Sequence, residues 1–361
     1  MTDDDSTDYA SRIVDESALA DYLESQLGQV DEFDIEHHQE GHSNETLFVT
    51  WGDTDLVIRR PPPGETAETA HDVLREYRVI DSLQDTGVCV PTTVSACDDH
   101  SVLGCDFYVM EQADGDVIRT EEPERFATDA GRTRIGEELV DRLVKIHEVD
   151  YYAVGLEEGD FGRPEGFTQR QVDRWSKQIS WAAEVTAEER PIPELDEVQS
   201  WLADNVPEEH PHTLVHGDYK LDNVMFGTGT PPEIVAIFDW ELAALGDPYT
   251  DLGWMLSFWF DEKDPDLPSS VGALYSSITM REGYPTRKEL VERYEQATGT
   301  SFDDERFYRT LGVYKLIGLG EMFFRRYLEG NSDDPLYPKM RDGVPQLADR
   351  ALRIIEGEEP L

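Results

Sequence analysis

The densest run of reactive side chains is Val215-His216-Gly217-Asp218-Tyr219-Lys220-Leu221-Asp222-Asn223. Sixteen residues after Asn223 comes Asp239, within Ile237-Phe238-Asp239-Trp240-Glu241. Between them, Val224-Met225-Phe226 and Glu233 to Phe238 read as the arms of a hairpin, with Gly227 to Pro232 as its loop. Closing that loop brings Asn223, at the start of one arm, beside Asp239, at the end of the other. An amide oxygen and a carboxylate at a hairpin mouth make a seat for a hard cation such as Mg²⁺. Asp218 falls in the preceding turn and is expected to point at the same spot without being a ligand. Such a set suits phosphoryl transfer, which asks mainly for positioning and charge neutralisation. One carboxylate, Asp218, would orient an incoming hydroxyl and accept its proton. One cation, Lys220, would meet the negative charge that develops on the transferred group. Taken singly, each residue is an ordinary turn or surface residue. The joint pattern His-x-Asp-x-x-x-x-Asn, strand, loop, strand, Asp carries the reading.

The elements that position these residues fall into two parts. A helix is expected from Asp15 to Leu27, ended by Gly28. Three strands follow at Glu32–Glu36, Thr46–Trp51 and Asp55–Arg59, then a Pro61-Pro62-Pro63-Gly64 loop, a helix from about Ala67 to Leu83, and strands at Thr92–Ala96 and Phe107–Met110. Beyond Gly115 the pattern turns helical, near 123–148, 166–185, 193–204, 249–260, 287–297, 304–328 and 343–356, around a strand-rich insert at 213–239. The expected fold is α+β. A frayed acidic tail (1–14) precedes a small antiparallel-β lobe (15–112) and a larger, mainly helical lobe (113–361), with a ligand cleft between the lobes.

The small lobe offers its own candidates. In Leu56-Val57-Ile58-Arg59, alternation puts Val57 and Arg59 on one face, an apolar residue to lie against a base and a cation for phosphates. Arg60 takes the opposite face. In the following helix Val73, Tyr77 and Ile80 form an apolar stripe, and Glu76 lies on it. A carboxylate in that position needs a partner, and Arg59 is the expected one. Gly41-His42-Ser43-Asn44, between the first two strands, offers backbone N–H groups and a hydroxyl to phosphates. No GxxxxGK[ST] loop occurs.

Composition bounds the rest. The chain has 361 residues, with 31 Lys+Arg against 78 Asp+Glu, a formal net charge of −47, and only seven lysines. A phosphate-tracking basic stripe is missing, so neither nucleic acid nor an anionic membrane is an expected partner. Self-repulsion of this size destabilises a fold in dilute salt. The screening length falls to about 3 Å at 1 M salt, so a salt-rich cytoplasm is expected. The acidic start, Met1-Thr2-Asp3-Asp4-Asp5, lacks a basic region and an apolar core, so no signal peptide is expected. Cys89, Cys97 and Cys105 are odd in number and form no CxxC, so reduced thiols are expected rather than disulfides or a zinc site.

The sequence resembles the aminoglycoside phosphotransferase-like family of small-molecule kinases, within the choline kinase superfamily. The matching stretches are His216-Gly217-Asp218 through Asn223, the Asp239 segment, and Gly246-Asp247-Pro248 with Asp251. More narrowly, it is similar to the kinase domain joined to acyl-CoA dehydrogenases in some proteins, through Gly41–Asn44, Leu56–Gly64, His71–Arg78, Phe107–Glu111 and Arg170–Trp175. The resemblance implies a bilobal protein-kinase-like fold using ATP or GTP with Mg²⁺. Asp218 would be the catalytic base, Asn223 and Asp239 the metal ligands. Arg59 would hold the nucleotide phosphates and Glu76 would hold Arg59. Glu111 to Ala113 would present backbone groups to the base. Arg59 replaces the family's usual Lys, and Lys220 stands where many antibiotic kinases carry His.

The acceptor is expected to be a small-molecule hydroxyl, such as a hydroxyacyl thioester or another alcohol. An aminoglycoside is less expected; acid spread over the whole chain is no evidence for a polycationic substrate. With the chain ending at Leu361, the kinase is expected to act alone or with a separate enzyme. Arg170, Gln171, Arg174, Trp175, Trp240, Trp254 and the Glu321–Arg325 helix are candidates for the acceptor side. Two rival readings stand beside the active kinase. One is a nucleotide-binding regulatory module without turnover, against which the intact Asp218, Asn223 and Asp239 argue. The other is a metal-dependent phosphohydrolase.

Overall fold

The computed structural model describes residues 14–38, 44–62, 72–157, 159, 161–262, 264, 274–332 and 334–361. All but the last residue of the expected acidic tail, Gly41 to Ser43, Pro63-Gly64 and the first residues of the helix expected from Ala67 lie outside the described residues. The chain forms two compact units, Met1–Gly115 with Val235–Ala243, and Asp116–Ile234 with Ala244–Leu361.

In the first unit, α1 (Glu16–Leu27) starts at Asp15, whose side chain accepts from the Ser17 and Ala18 amides. Strands β1 (Phe33–His38), β2 (Glu45–Trp51) and β3 (Thr54–Arg60) follow, then α2 (Val73–Ser82), β4 (Thr93–Cys97) and β5 (Phe107–Glu111). They make a five-stranded antiparallel sheet in the order β1-β2-β3-β5-β4. Leu47, Val49, Leu56, Ile58, Phe107 and Val109 pack with Leu19 and Leu23 of α1 into one apolar core. Strand side chains alternate between faces, so the core claims Leu56 and Ile58 and turns Val57 and Arg59 to the other face. Arg59 stands opposite Thr46 on β2 and Tyr108 on β5.

The second unit opens with β6 (Asp116–Val117) and α3 (Asp129–His147), capped by the Thr128 side chain on the Gly131 amide. The stretch expected to be helical from 123 breaks here, because the cap separates α3 from a short 3₁₀ turn at Glu124–Phe126. Then come α4 (Phe167–Glu189), α5 (Glu194–Asp204), β7 (Thr213–Val215) and β8 (Val224–Phe226); β9 (Ile234–Ile237) starts on the last residue of this stretch, Ile234, and its other residues belong to the first unit. β6 pairs with β8, Asp116 opposite Phe226. The Gly227 amide donates to the Glu233 carbonyl across the turn after β8. β10 (Ala244–Gly246) pairs antiparallel with β7, Val215 opposite Ala244. Its three residues are too few to show an alternating pattern, so it is not anticipated from sequence. Helices α6 (Tyr249–Ser257), α7 (Arg287–Thr298), α8 (Glu305–Leu328) and α9 (Met340–Glu356) complete the unit.

The antiparallel sheet and the helical second unit make the fold α+β, as expected. Helices α6 and α8 meet backbone to backbone. A Cβ on Gly253 would stand 2.5 Å from the Tyr308 carbonyl oxygen, and one on Gly312 3.0 Å from the Gly253 carbonyl oxygen. That approach sets Asp251 and Trp254 on α6 and Lys315 on α8 at fixed places. Among the described residues no helix is long and apolar enough to cross a membrane.

Candidate active site

In the second unit the site is built on the turn after β7. Gly217 has φ 82°, a left-handed conformation that glycine adopts without steric cost. Asp251, on the first turn of α6 and 1% exposed, accepts the His216 amide at 2.6 Å and the Gly217 amide at 2.8 Å. His147 Nε2 lies 3.4 Å from the same carboxylate, and His147 Nδ1 lies 2.8 Å from the Tyr294 hydroxyl. Burial works against the Asp251 charge, but His147, His216 and the accepted amide hold its carboxyl below the usual carboxylate range. The next peptide is held at both ends. The Asp218 amide donates to His216 Nδ1 at 3.2 Å, and the Gly217 carbonyl accepts from Lys315 Nζ at 2.5 Å.

Asp218, Lys220 and Asn223 come together around this turn. Asn223 Nδ2 donates to the Asp218 carbonyl at 2.9 Å and to Asp218 Oδ2 at 2.8 Å. Those two bonds fix the amide and turn Asn223 Oδ1 to Lys220 Nζ, at 3.2 Å. The same ammonium lies 3.5 Å from Asp218 Oδ2 and 2.9 Å from Asp222 Oδ1. Asp218 Oδ1 meets no donor among the described residues. The oxygens of Asn223 and Asp218 already share one positive charge. The Asn223 amide oxygen is itself a hard oxygen donor, of the kind that suits a hard divalent cation.

In the first unit, β9 runs into Asp239, which has φ 67°, the only positive φ of a non-glycine residue among those described. A short polar side chain tolerates that conformation, and such outliers concentrate at functional sites. Arg59 Nη2 donates to Asp239 Oδ1 at 3.5 Å, and Nη1 donates to Thr46 Oγ1 at 3.0 Å. Arg59 Nη2 also lies 3.8 Å from Glu76 Oε2, so the expected Arg59–Glu76 pair forms. Burial opposes the Arg59 charge, but Glu76, Tyr108 and Asp239 carry its pKa upward. Burial pushes the Glu76 carboxyl up, against the pull of Arg59. Arg75 of α2 donates to the Glu241 carbonyl at 3.4 Å and the Ala243 carbonyl at 2.6 Å, tying the segment after Asp239 to the same helix as Glu76.

The remaining candidates divide. The Glu111 amide donates to the Thr92 carbonyl at 2.8 Å and the Gln112 amide to the Asp55 carbonyl at 2.9 Å. The Ala113 amide has no partner among the described residues. Asn44 is buried, and its Oδ1 finds no partner among the described residues. Ser43 lies outside them. Of the acceptor-side candidates, Trp175, Trp240 and Trp254 are buried. Glu321 pairs with Arg190 at 2.7 Å and accepts from the Thr186 hydroxyl. Arg170 donates to the carbonyls of Arg163 and Glu165. Arg174 is exposed, 5.5 Å over the Trp175 ring.

Lys315 is the residue sequence reasoning missed. Its ammonium sits 3.7 Å over the Trp254 ring while it donates to the Gly217 carbonyl. Its signal was visible: one of seven lysines, alone inside the otherwise apolar run Leu311 to Gly320.

Comparison with known proteins bears on the family and the fold. Residues 34–290 match the model of the APH family, the phosphotransferase enzyme family. The chain is 32% identical over 325 residues to acyl-CoA dehydrogenase family member 11 of Rattus norvegicus, covering 89% of this chain and 40% of that protein. The chain thus spans about two fifths of the length of that relative. A crystal structure from Ralstonia eutropha, provisionally assigned as an aminoglycoside phosphotransferase, is 29% identical with a TM-score of 0.78, covering 95% of this chain and 99% of that one. The GDP and kanamycin complex of an APH(2″) enzyme has the same fold, with a TM-score of 0.60 at 14% identity, covering 91% of this chain and 97% of that one.

Proposed function

On the premise that the chain belongs to the APH phosphotransferase enzyme family, small-molecule kinases with a hydroxyl acceptor, we propose that it moves the γ-phosphoryl group of ATP to a hydroxyl of a small molecule. The observation that carries this reading is the Asp218–Asn223–Lys220 arrangement. Asp218 Oδ2 is held by the Asn223 amide, which aims the carboxylate. Asp218 accepts the proton of the attacking hydroxyl, since general-base work needs a carboxylate within hydrogen-bond reach of that proton. Lys220 offsets the charge that grows on the transferred group. Asn223 and Asp239 are the residues that would hold Mg²⁺, which when bound neutralises phosphate charge. Arg59, kept charged beside Glu76, grips nucleotide phosphates. Asn44, with Ser43, and the backbone of Glu111 to Ala113 complete the nucleotide's contacts.

The acceptor we favour is a hydroxyacyl thioester or another small alcohol. The similarity to an acyl-CoA dehydrogenase family member supports that choice over an aminoglycoside. Cys89, Cys97 and Cys105, which form no disulfide among the described residues, support a reducing cytoplasm. The net charge of −47 supports work at high salt.

The test is an incubation with Mg-ATP in molar KCl and a panel of alcohols, following ADP. ADP that depends on the alcohol, and is lost in Asp218→Asn, supports the proposal. Tight ATP binding with no ADP from any alcohol points to a regulatory module. Free phosphate without a phosphorylated product points to a hydrolase.

A further inference from the structure

We propose that Lys315 is a positioning residue for Asp218: seated on the Trp254 ring, its ammonium holds the Gly217 carbonyl and so fixes the peptide that carries the base. The inference rests on the kinase reading only for what Asp218 does. The clamp itself is geometry within the second unit.

The turn 216–218 has three places where its backbone can swing. Asp251 takes the amides of His216 and Gly217. His216 Nδ1 takes the Asp218 amide at 3.2 Å, a long bond to a neighbouring side chain. The Gly217 carbonyl is the remaining handle, and Lys315 Nζ is its donor, at 2.5 Å. Glycine at 217 puts no Cβ in the way of a rotation of this peptide. Without a donor on the carbonyl, the 217–218 peptide would keep, among the described residues, the His216 ring on its amide, with Asn223 holding the carbonyl and carboxylate of Asp218 beyond it. A charged donor makes a stronger bond than a neutral one, which suits a ligand that has to hold a flexible residue.

The site is built for an ammonium. Trp254 and Asp251 are three residues apart on α6, hence on one face of the helix. That face gives a carboxylate to the amides of the turn and an indole ring, 3.7 Å from Nζ, to the cation that takes the carbonyl. The close contact of Gly253 and Gly312 fixes α6 against α8, and Lys315 lies one turn beyond Gly312. The groups that act on Lys315 are Asp218 and Asp251, which favour its charge, and Lys220 and Arg174, which oppose it. Burial is the largest influence and brings its pKa down to about 8. The clamp is therefore mostly charged at neutral pH and loses its charge as pH rises through about 8.

The experiment compares wild type, Lys315→Met and Lys315→Arg. Three readouts are taken: kcat and KM against pH, thermal unfolding at pH 7, and hydrogen exchange of the 215–223 segment. For Lys315→Met we expect kcat to fall, up to about a hundredfold as for other small misplacements of a reacting group. KM for ATP and acceptor should stay within about twofold, and unfolding should come no earlier than in wild type. Exchange of the Asp218 amide should quicken. Lys315→Arg should recover part of kcat and carry activity past the alkaline decline of wild type. An unchanged kcat in Lys315→Met, or a loss wholly in acceptor KM, overturns the proposal. Hydrogen exchange needs no turnover. If wild type transfers no phosphoryl group, unchanged exchange in Lys315→Met still sinks the clamp, and quickened exchange still supports it while the kinase reading fails alone.

Discussion

Arg59 and Asp239, 180 residues apart in the chain, are joined by a guanidinium–carboxylate contact of 3.5 Å. Glu76 lies on the same guanidinium nitrogen at 3.8 Å. One cation thus ties β3, α2 and Asp239, two residues past the end of β9, into a single charged group within the first unit. Glu76 is 1% exposed, so its charge depends on that cation.

Removing one partner of a buried pair leaves the other uncompensated and costs about 3–5 kcal/mol. Glu76→Ala leaves Arg59 with Asp239, at 3.5 Å but more exposed, so a loss toward the lower end, about 3 kcal/mol, is expected. Urea denaturation of Glu76→Ala, Arg59→Met and the double variant checks this. The double variant should lose less than the sum of the single ones.

Asp251 gives a pH signature. Its folded carboxyl titrates below its ordinary value of 3.8, so the folded state binds fewer protons there than the unfolded chain. Its contribution is fully present above that value and is lost as pH falls through the lower, folded pKa. Asp251→Asn keeps one acceptor for two amides, and one unsatisfied group costs about 1–3 kcal/mol. The variant should be less stable at pH 7 and lose less further stability below about pH 4 than wild type. Unfolding curves from pH 7 down to pH 3 measure both.

Lys220 touches Asp218, Asp222 and Asn223, yet its expected task is in the transition state. Lys220→Met should lower kcat by about 10²–10³-fold, the range for loss of one group that stabilises developing charge. KM for ATP should change little. Steady-state kinetics at saturating acceptor separates the two parameters.

Gly253→Ala should be costly although it adds one methyl group. Its Cβ would stand 2.5 Å from the Tyr308 carbonyl oxygen and 2.6 Å from the carbonyl carbon, backbone atoms that cannot swing aside. Overpacking costs about 1–3 kcal/mol. Because α6 carries Asp251 and Trp254, activity should fall further than the loss of folded protein explains. Activity per folded molecule, with folding read by circular dichroism, checks this.

The sequence made some of this architecture legible and hid the rest for identifiable reasons. Alternation in β3 put Arg59 on the face that meets Glu76, because a two-residue period is a local property. The helical periods of α4, α5, α7 and α8 were readable for the same reason. Asp218, Lys220 and Asn223 lie within six residues, so one local turn brings them together. Strand β10 was hidden because pairing with β7, far away in the chain, makes it a strand. Lys315 stood out in its apolar run, but its role was hidden because its partner is a backbone carbonyl 98 residues distant, and no spacing rule reports such a contact. Trp240 and Trp254 were ambiguous as binding or core residues; both are buried, and Trp254 lies under the Lys315 ammonium.

The most direct test of the central claim follows the γ-phosphorus itself. Wild type and Asp218→Asn are given ATP labelled at the γ-phosphate, Mg²⁺ and an accepted alcohol in molar KCl, and the label is traced to organic phosphate, inorganic phosphate or unreacted ATP. The account predicts one equivalent of labelled phosphate ester for each ADP formed by wild type, and almost none from Asp218→Asn under the same nucleotide occupancy. Label appearing only as inorganic phosphate, or ester formed equally fast by Asp218→Asn, would contradict it.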